Sequence, residues 1–201
     1  MTRDQGMRDY YRRRAGEYDD WWNGTGLYAE LERPGWEEEV AGLIATLEAL
    51  EPVATLDVAC GTGFLTQHLR GHIVGLDQSA AMVEIARERL RDGEAVCAEA
   101  IPLPFRDASF DRVFTSHYYG HLLAGERAEF LAQARRVAGE LVVVDAALRP
   151  GRPGEQWQER VLLDGSKHRV FKRFFSAESL RAEVGASRVL HDGAWFVAVA
   201  G

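Results

Sequence analysis

The chain has 201 residues, 46% of them hydrophobic, which suits one α/β domain with a substantial core and makes two full domains unfavourable. Its 24 basic and 31 acidic residues give a formal net charge of −7, which disfavours a large nucleic-acid partner. The opening MTRDQGMRDYYRRR lacks the apolar stretch of a secretory signal, and no apolar run is long enough to cross a membrane. We therefore expect a cytoplasmic protein.

The two cysteines, Cys60 and Cys97, lie in apolar, strand-like segments without metal-site spacing. This placement predicts two buried free thiols. The only lysines are Lys167 and Lys172, so a catalytic lysine has few candidates.

The part of the chain before residue 53 is predicted to be helical. A polar helix covers residues 4–20, and a mobile link follows at 21–26. After Pro34 an apolar stripe with helical spacing predicts another helix, which Pro52 ends. The stripe consists of Val40, Leu43, Ile44, Leu47 and Leu50. The basic YYRRR run at 10–14 is interpreted as a solvated helix face, with RNA contact as the alternative.

Strands and helices alternate from residue 53 to residue 148, which predicts parallel βαβ units with right-handed crossovers. The predicted strands are 53–59, 72–76, 94–98, 110–115 and 141–148. The predicted helices are 64–69, one capped by Ser79, and one carrying Phe130 to Val137.

The pattern changes after Pro150. Asp164-Gly165 and Asp192-Gly193 are each flanked by strand-like residues, which predicts two hairpins, and Ser176 is expected to cap a short helix between them. The sequence thus predicts a single α/β domain over residues 1–201, with a mostly parallel sheet that ends in antiparallel strands.

Acidic side chains are predicted at the ends of three successive strands. Asp57 precedes the loop Gly61-Thr62-Gly63, Asp77 ends the second strand, and Glu99 ends the third. Ligands of open α/β sheets bind at the carboxyl ends of the strands, and a carboxylate after the second strand can accept both hydrogen bonds of a ribose diol. The alternative for Asp77 is an acid that favours the following helix dipole.

The loop does not complete a dinucleotide fingerprint, because Thr66 occupies the third glycine position. No lysine or arginine lies between Leu56 and Leu69. Three acidic side chains with no basic residue in the loop suit a cationic nucleoside better than an anionic diphosphate. S-adenosylmethionine is such a ligand, because it carries a sulfonium and an ammonium group.

Residues 55–145 resemble the class I S-adenosylmethionine-dependent methyltransferases, especially the small-molecule type of ubiquinone and menaquinone biosynthesis. Three stretches carry the resemblance: LDVACGTGFLT with Ala59 in place of the first glycine, VGLDQSAAMVEIAR, and CAEAIPLPFRDASFDRV. In the last, Glu99 replaces the family's Asp and Ala100 matches its Ala. The resemblance implies a Rossmann-like, doubly wound sheet of seven strands with helices on both faces.

The resemblance also implies a cofactor site, with S-adenosylhomocysteine as the product. Asp57 would face the methionine ammonium, Glu99 and Ala100 the adenine, and a lid tyrosine the carboxylate; the alternative for the tyrosines is helix packing. The full predicted cofactor set is Asp57, Ala59, Cys60, Gly61, Gly63, Asp77, Gln78, Met82, Glu99, Ala100, Thr115, Tyr10 and Tyr18.

A base is needed only if the acceptor must lose a proton, and His117 and His121 after the fourth strand are the catalytic candidates. The alternative is that one of the two histidines packs or caps and the other is solvated. Without a third ligand the pair does not predict a metal site.

In similar enzymes the wall around the methyl acceptor comes from three segments: the N-terminal helix or lid (1–30), the loop after the fourth strand and an insert (here a 150–175 hairpin). Those segments hold Trp21, Trp22, Tyr118, Tyr119, Trp157, Phe171, Phe174 and Phe175.

These aromatic side chains favour a small, partly apolar acceptor, although packing is the stronger reading for Phe174 and Phe175. Ser116-His117-Tyr118-Tyr119 also argues against a base-amine target. Two alternatives stay open: an NAD-dependent oxidoreductase, and a non-catalytic module that binds S-adenosylmethionine. The acceptor, the methylated atom and the oligomeric state do not follow from the sequence.

Overall fold

The computed structural model describes residues 3–201, and their side chains from residue 6 onward. The strands are β1 Thr55–Val58, β2 Ile73–Asp77, β3 Gly93–Cys97, β4 Phe110–Ser116, β5 Ala138–Ala146, β6 Glu155–Val161, β7 Lys167–Arg173, β8 Arg188–Asp192 and β9 Phe196–Ala200. The helices are α1 Arg3–Arg14, α2 Asp20–Asn23, α3 Trp36–Glu48, α4 Ala80–Arg89, α5 Ala124–Val137 and α6 Ala177–Val184.

Seven strands form the central sheet in the order β3-β2-β1-β4-β5-β9-β8. The first five strands pair in parallel, β9 is antiparallel to β5, and β8 is antiparallel to β9. The predicted fold class is therefore confirmed, including the antiparallel hairpin at the C-terminal edge. The strand order reverses between β1 and β4, and that switch point places a crevice at their carboxyl ends.

Helices cover both faces of the sheet because alternate strand residues point to opposite faces. In β5, Val143 belongs to the core cluster that includes residues of α5 and α6. Its neighbours Val142 and Val144 belong to the cluster on the other face, which includes Leu43 and Leu47 of α3. An apolar run such as LVVVDAAL is typical of a strand buried on both faces.

The hairpin around Asp164-Gly165 forms a separate two-stranded sheet of β6 and β7. Gly165 has a φ of 78°, which glycine adopts at little cost. The predicted caps are also present: the Ser79 hydroxyl accepts a hydrogen bond from the Met82 N–H, and the Ser176 hydroxyl accepts one from the Ser179 N–H.

The predicted helix at residues 64–69 is wrong, since only a single 3-10 turn forms, at Thr66–His68. The chain must turn back sharply at Gly71, whose φ is 95° and whose added Cβ would lie 2.4 Å from the Val53 carbonyl oxygen. A full helix has no room between the glycine loop and this turn.

The predicted mobile link at residues 21–26 is also wrong. It contains most of α2 and the start of a 3-10 turn at Gly26–Tyr28. Trp22 is only 4% exposed, and it stacks on Phe64 and Phe196 at centroid distances of 4.8 and 5.5 Å. Burial of this indole holds the segment against the sheet.

Cys60 is buried as predicted, but Cys97 is exposed. Cys97 ends β3, the edge strand of the sheet, where alternate side chains point away from the core. Among the described helices, none is both long and apolar enough to cross a membrane.

Candidate functional site

A cavity of about 300 Å³ opens at the carboxyl ends of the parallel strands, beneath α1. We call it the acidic cavity, because its charged lining side chains are Asp77, Glu99, Glu126 and Glu129. Nine residues predicted from the sequence line it: Tyr18, Ala59, Gly61, Asp77, Gln78, Glu99, Ala100, His117 and His121. Residues that are far apart in the chain thus meet where the sheet order predicts a ligand.

Asp77 connects the end of β2 to the glycine loop. The backbone N–H groups of Gly61 and Ser79 donate to its two carboxylate oxygens at 3.0 and 2.8 Å. Burial raises the pKa of Asp77 to about 6, although the two hydrogen bonds oppose that rise. Since Ser79 caps α4 with its own hydroxyl, Asp77 is not needed for that cap.

The glycine loop adopts the left-handed backbone conformation three times. The φ angles are 60° at Ala59, 57° at Gly61 and 78° at Gly63. Ala59 takes this conformation in spite of its Cβ, at the position where the resembling family has glycine. An added Cβ at Gly61 would lie 3.5 Å from the ring of Tyr18, so this tyrosine lies over the loop and closes the cavity there.

Asp57 is buried under the loop rather than in the cavity wall. Its Oδ2 accepts a hydrogen bond from the Thr66 hydroxyl at 2.6 Å, while its buried Oδ1 has no partner among the described residues. Burial and, to a smaller extent, the nearby Asp77 raise the pKa of Asp57 to about 8, although the Thr66 hydrogen bond opposes that rise. A cation bound above the loop would stabilise the ionised form of both groups.

The high pKa of Asp57 predicts pH-dependent stability of the ligand-free protein. Because the folded-state pKa lies above the usual value of about 3.9, folding favours the protonated acid, and stability is lost as pH rises from about 4 through 8. Asp57→Asn keeps an acceptor for Thr66 and removes the charge. We expect its melting temperature to exceed that of the wild type at pH 8 and to approach it at pH 4.5.

Thermal unfolding at several pH values would measure this difference. Glu84→Gln is a suitable control because the side chain is exposed on α4. A wild-type advantage that persists at pH 8 would contradict the buried-charge explanation for Asp57.

Besides Asp57, five predicted cofactor residues lie outside the cavity lining: Tyr10, Cys60, Gly63, Met82 and Thr115. The Thr115 hydroxyl donates to the Val58 carbonyl at 2.8 Å, and Cys60 and Met82 are buried. Tyr10 is 2% exposed and packs with Leu162 and Val170 of the hairpin region. Contact of these five with a cofactor stays a prediction.

The sequence interpretation missed Met7 and Tyr11, which line the cavity from α1. Their spacing of four residues places them on one helix face, which is the signal that identifies them. Arg8 on the same helix forms an ion pair with Glu99 at 2.5 Å, so α1 lies over the predicted adenine end. The lining also includes Ile101, which follows Ala100 in the third motif, and Leu122, Glu126 and Glu129, which belong to no motif.

His117 and His121 lie where the acidic cavity meets a second cavity. Only a 3-10 turn, Tyr119–His121, forms here instead of the helix that the spacing suggested. His117 packs against the rings of Trp21 and Trp22 at 5.1 and 5.3 Å, and its buried Nε2 has no partner among the described residues. Among all the residues that the structure describes, no group of three or more His, Cys, Asp or Glu side chains could hold a metal ion.

Both histidines are expected to be neutral. Burial and, to a smaller extent, the charge of Lys172 lower the pKa of His117 to about 3. Burial and the charge of Lys172 also lower the pKa of His121 well below its usual value. His121 Nδ1 lies 2.6 Å from the Phe171 carbonyl oxygen, which can only accept, so the proton of the neutral ring is on Nδ1.

The second cavity, of about 240 Å³, shares Tyr11, Tyr18, His117 and His121 with the first. We call it the basic cavity, because its charged lining residues are Arg14, Arg33, Arg149, Arg152, Arg160 and Lys172. The sequence interpretation did not identify this group as a site. The RPGRP run at 149–153 was its visible signal.

The predicted aromatic acceptor wall is divided between four environments. Trp21 and Phe174 line the basic cavity, together with Trp36 and Trp195, which were not predicted. Tyr118 lines the acidic cavity. Trp22, Tyr119, Phe171 and Phe175 are buried in packing, while Trp157 is 44% exposed.

Comparisons with known proteins agree with this geometry. A family model described as a methyltransferase domain matches residues 56–140. The closely similar solved structures include DhpI in a complex with SAM and HEP, at 26% identity and a TM-score of 0.77, covering 100% of this chain and 99% of that one. Residues 56–140 thus match a methyltransferase domain, and the chain as a whole is similar to a protein whose structure holds SAM.

Curated relatives of the methyltransferase domain include two demethylmenaquinone methyltransferases. That of Thermotoga maritima is 36% identical over 118 residues, which is 55% of this chain and 49% of the relative. That of Clavibacter sepedonicus is 33% identical over 117 residues, or 53% and 48%. The chain thus spans about half the length of these relatives.

S-adenosylmethionine is the cofactor of this domain, and the acidic cavity fits it. A cationic nucleoside suits this region for three reasons. Asp57, under the loop, has an oxygen without a partner among the described residues, Asp77 is a buried carboxylate, and the glycine loop leaves room for a ligand close to its backbone. The methyltransferase identification also replaces the NAD-dependent alternative.

Proposed function

We propose that this chain transfers a methyl group from S-adenosylmethionine to a small-molecule acceptor. One observation carries the proposal: the acidic cavity, which suits the cofactor, meets the basic cavity at Tyr18, His117 and His121. A methyl donor in the first cavity and a nucleophile in the second would face each other at this junction. Methyl transfer needs mainly such alignment, and positioning of this kind can supply up to about 7–11 kcal/mol.

The cofactor supplies an electrophilic methyl group; a lone pair of the acceptor forms the new bond to carbon, and the pair of the broken carbon–sulfur bond stays on sulfur. In this proposal Asp77 holds the ribose diol, Glu99 and the Ala100 backbone face the adenine, and Asp57 balances the ammonium charge. Gln78 contributes to the cavity wall between the ribose and adenine ends. Tyr18 covers the methionine end.

His117 is the proposed base when the acceptor must lose a proton. Its ring is neutral at physiological pH, and its Nε2 is buried with no partner within the described residues. Because a pKa of about 3 makes the ligand-free imidazole a weak base, this role requires that the bound acceptor raise that pKa. His121 is fixed by the Phe171 carbonyl and is proposed to orient the acceptor.

The segment 1–30 and the 150–175 hairpin are proposed to form the roof of the site. Tyr10 of α1 packs on Leu162 and Val170 from the hairpin region, so the two segments support each other. A small acceptor is also favoured over RNA, because Arg12 and Arg13 of the basic run pair with Asp9 at 2.6 and 2.9 Å. Arg14 faces the basic cavity instead of solvent.

The proposal is tested by calorimetric titration with S-adenosylmethionine, S-adenosylhomocysteine and NAD, followed by a multiple-turnover assay for S-adenosylhomocysteine over a panel of small acceptors. We expect micromolar binding of the first two compounds, no binding of NAD, and turnover with at least one acceptor class. Binding without turnover on any class would favour the non-catalytic module. Binding of NAD alone would overturn the proposal.

A further inference from the structure

The two cavities have opposite charge. The charged residues that line the acidic cavity are all carboxylates, whereas those that line the basic cavity are five arginines and Lys172. Across the described side chains, no Asp or Glu lines the basic cavity. The cofactor is cationic at its sulfonium and ammonium groups, so the acidic cavity has its counterpart. The basic cavity lacks one.

The arginines of the basic cavity, of which Arg152 is exposed and the other four are half-buried, differ from the buried Arg112 and Arg127 in their partners. Arg112 pairs with Glu140 and Arg127 pairs with Glu183, each at 2.7 Å. By contrast, none of the cavity arginines forms an ion pair with a carboxylate whose side chain is described; these are Arg14, Arg33, Arg149, Arg152 and Arg160. Lys172 is already neutralised by Asp145 at 2.5 Å.

Aromatic rings hold these guanidinium groups in place. Arg149 lies 4.0 Å from the ring centroid of Trp195, and Arg152 lies 4.9 Å from that of Phe174. A guanidinium that stacks on a ring uses its face, while its N–H groups donate in its plane. Stacking therefore positions the charge without consuming the donors that bind an anionic oxygen.

A buried donor in the cavity also lacks an acceptor. The Nε of Arg160 is buried with no partner among the residues described, although its Nη2 donates to Gln158 Oε1 at 2.5 Å. Burying a donor unpaired is costly, so a ligand oxygen is the expected acceptor. Burial lowers the pKa of Arg149, and the neighbouring positive charge of Arg152 contributes to the same direction.

We propose that the methyl acceptor is a small organic anion whose carboxylate or phosphate-type group is bound by Arg149, Arg152 and Arg160. This inference rests on the proposed methyl transfer and specifies its substrate class. The anionic group occupies the arginine end of the basic cavity, and the nucleophilic atom lies at the junction with His117. The cavity volume of about 240 Å³ restricts the acceptor to low molecular mass.

An entry route is present on the same side. Arg149, Arg152 and Gln158 also line an open crevice formed with the segment Pro150–Pro153. The arginines thus extend from the protein surface to the interior of the cavity. A gradient of positive potential along such a route favours entry of anions.

The test uses the full chain saturated with S-adenosylhomocysteine. NMR titrations at low ionic strength measure the binding of inorganic phosphate, benzoate and benzamide, the last being the neutral counterpart of benzoate. The variants are the double substitution Arg152→Gln/Arg160→Gln and, as matched control, Arg181→Gln, which is exposed on α6 and lines none of the three cavities. If the double variant loses S-adenosylhomocysteine binding, the single Arg149→Gln variant replaces it.

We expect phosphate or benzoate to bind, benzamide to bind at least tenfold more weakly, and the arginine variant to lose at least tenfold of the anion affinity. Arg181→Gln should remain within twofold of the wild type. Binding of phosphate but not benzoate would assign a phosphate-type group to the acceptor, and binding of benzoate but not phosphate would assign a carboxylate. Equal binding of benzoate and benzamide, equal anion binding by the variant, or no anion binding to protein that still binds S-adenosylhomocysteine would each overturn the inference. If the wild-type protein does not bind S-adenosylhomocysteine, that result would instead overturn the proposed function on which this inference rests.

Discussion

Asp77→Ala is expected to weaken binding of S-adenosylmethionine and S-adenosylhomocysteine about 100-fold, which corresponds to roughly 3 kcal/mol for two charge-assisted hydrogen bonds. The carboxylate is 7% exposed and lines the acidic cavity at the end of β2. It also accepts the Gly61 N–H, so its loss loosens the loop on which the cofactor would lie. Calorimetry measures both affinities.

Ser79→Ala controls for local damage near Asp77. Its hydroxyl caps α4 but does not line the acidic cavity. Loss of the cap should lower the free energy of unfolding by about 1 kcal/mol and leave the cofactor affinity nearly unchanged. Wild-type affinity in Asp77→Ala, or an equal loss in both variants, would contradict the ribose role.

Trp22→Ala should lower the free energy of unfolding by about 3–5 kcal/mol, the range for removing a large buried aromatic side chain. Trp22 is 4% exposed between Phe64 of the glycine loop and Phe196 of β9. Its carbonyl accepts the Trp36 indole N–H at 2.9 Å, so its position also affects the start of α3. Urea unfolding monitored by circular dichroism measures the change.

Trp157→Ala is the matched control, since this tryptophan is 44% exposed on β6. Removing it should cost less than about 1 kcal/mol. Trp22→Ala is also expected to weaken cofactor binding, because α2 follows directly on Tyr18, which covers the glycine loop. Similar stability losses in both variants would show that residues 20–23 are not anchored as described.

Local signals in the sequence determined the positions of the strands along the chain, the glycine loop and the hairpins. The apolar runs specify buried strands by their alternation and length, and Gly61 and Gly63 permit the left-handed backbone of the loop. Asp77 could be placed because it directly ends a strand, and parallel strands present their carboxyl ends at one edge. The Asp-Gly hairpins and the Ser79 and Ser176 caps depend on neighbouring residues alone, which is why they were predictable.

Tertiary packing decided the features for which local signals are ambiguous. The helical phase of α1 buries Tyr10 in the hairpin contact and turns Tyr11 into the cavity, although the two residues are adjacent and identical. The sharp turn at Gly71 prevents a helix at 64–69, and burial of Trp22 orders a segment whose composition predicts a loop.

The basic cavity is the clearest case of a property that only the fold creates. Arg14, Arg33 and the arginines from 149 to 160 come from three distant segments, and the sequence does not show which arginines have carboxylate partners. Whether an arginine is neutralised depends on which acid the fold brings within about 4 Å of it, and Coulomb interactions follow that distance rather than separation along the chain. The sequence therefore predicted most of the residues that meet around the glycine loop, while the folded structure determined the charge of the basic cavity.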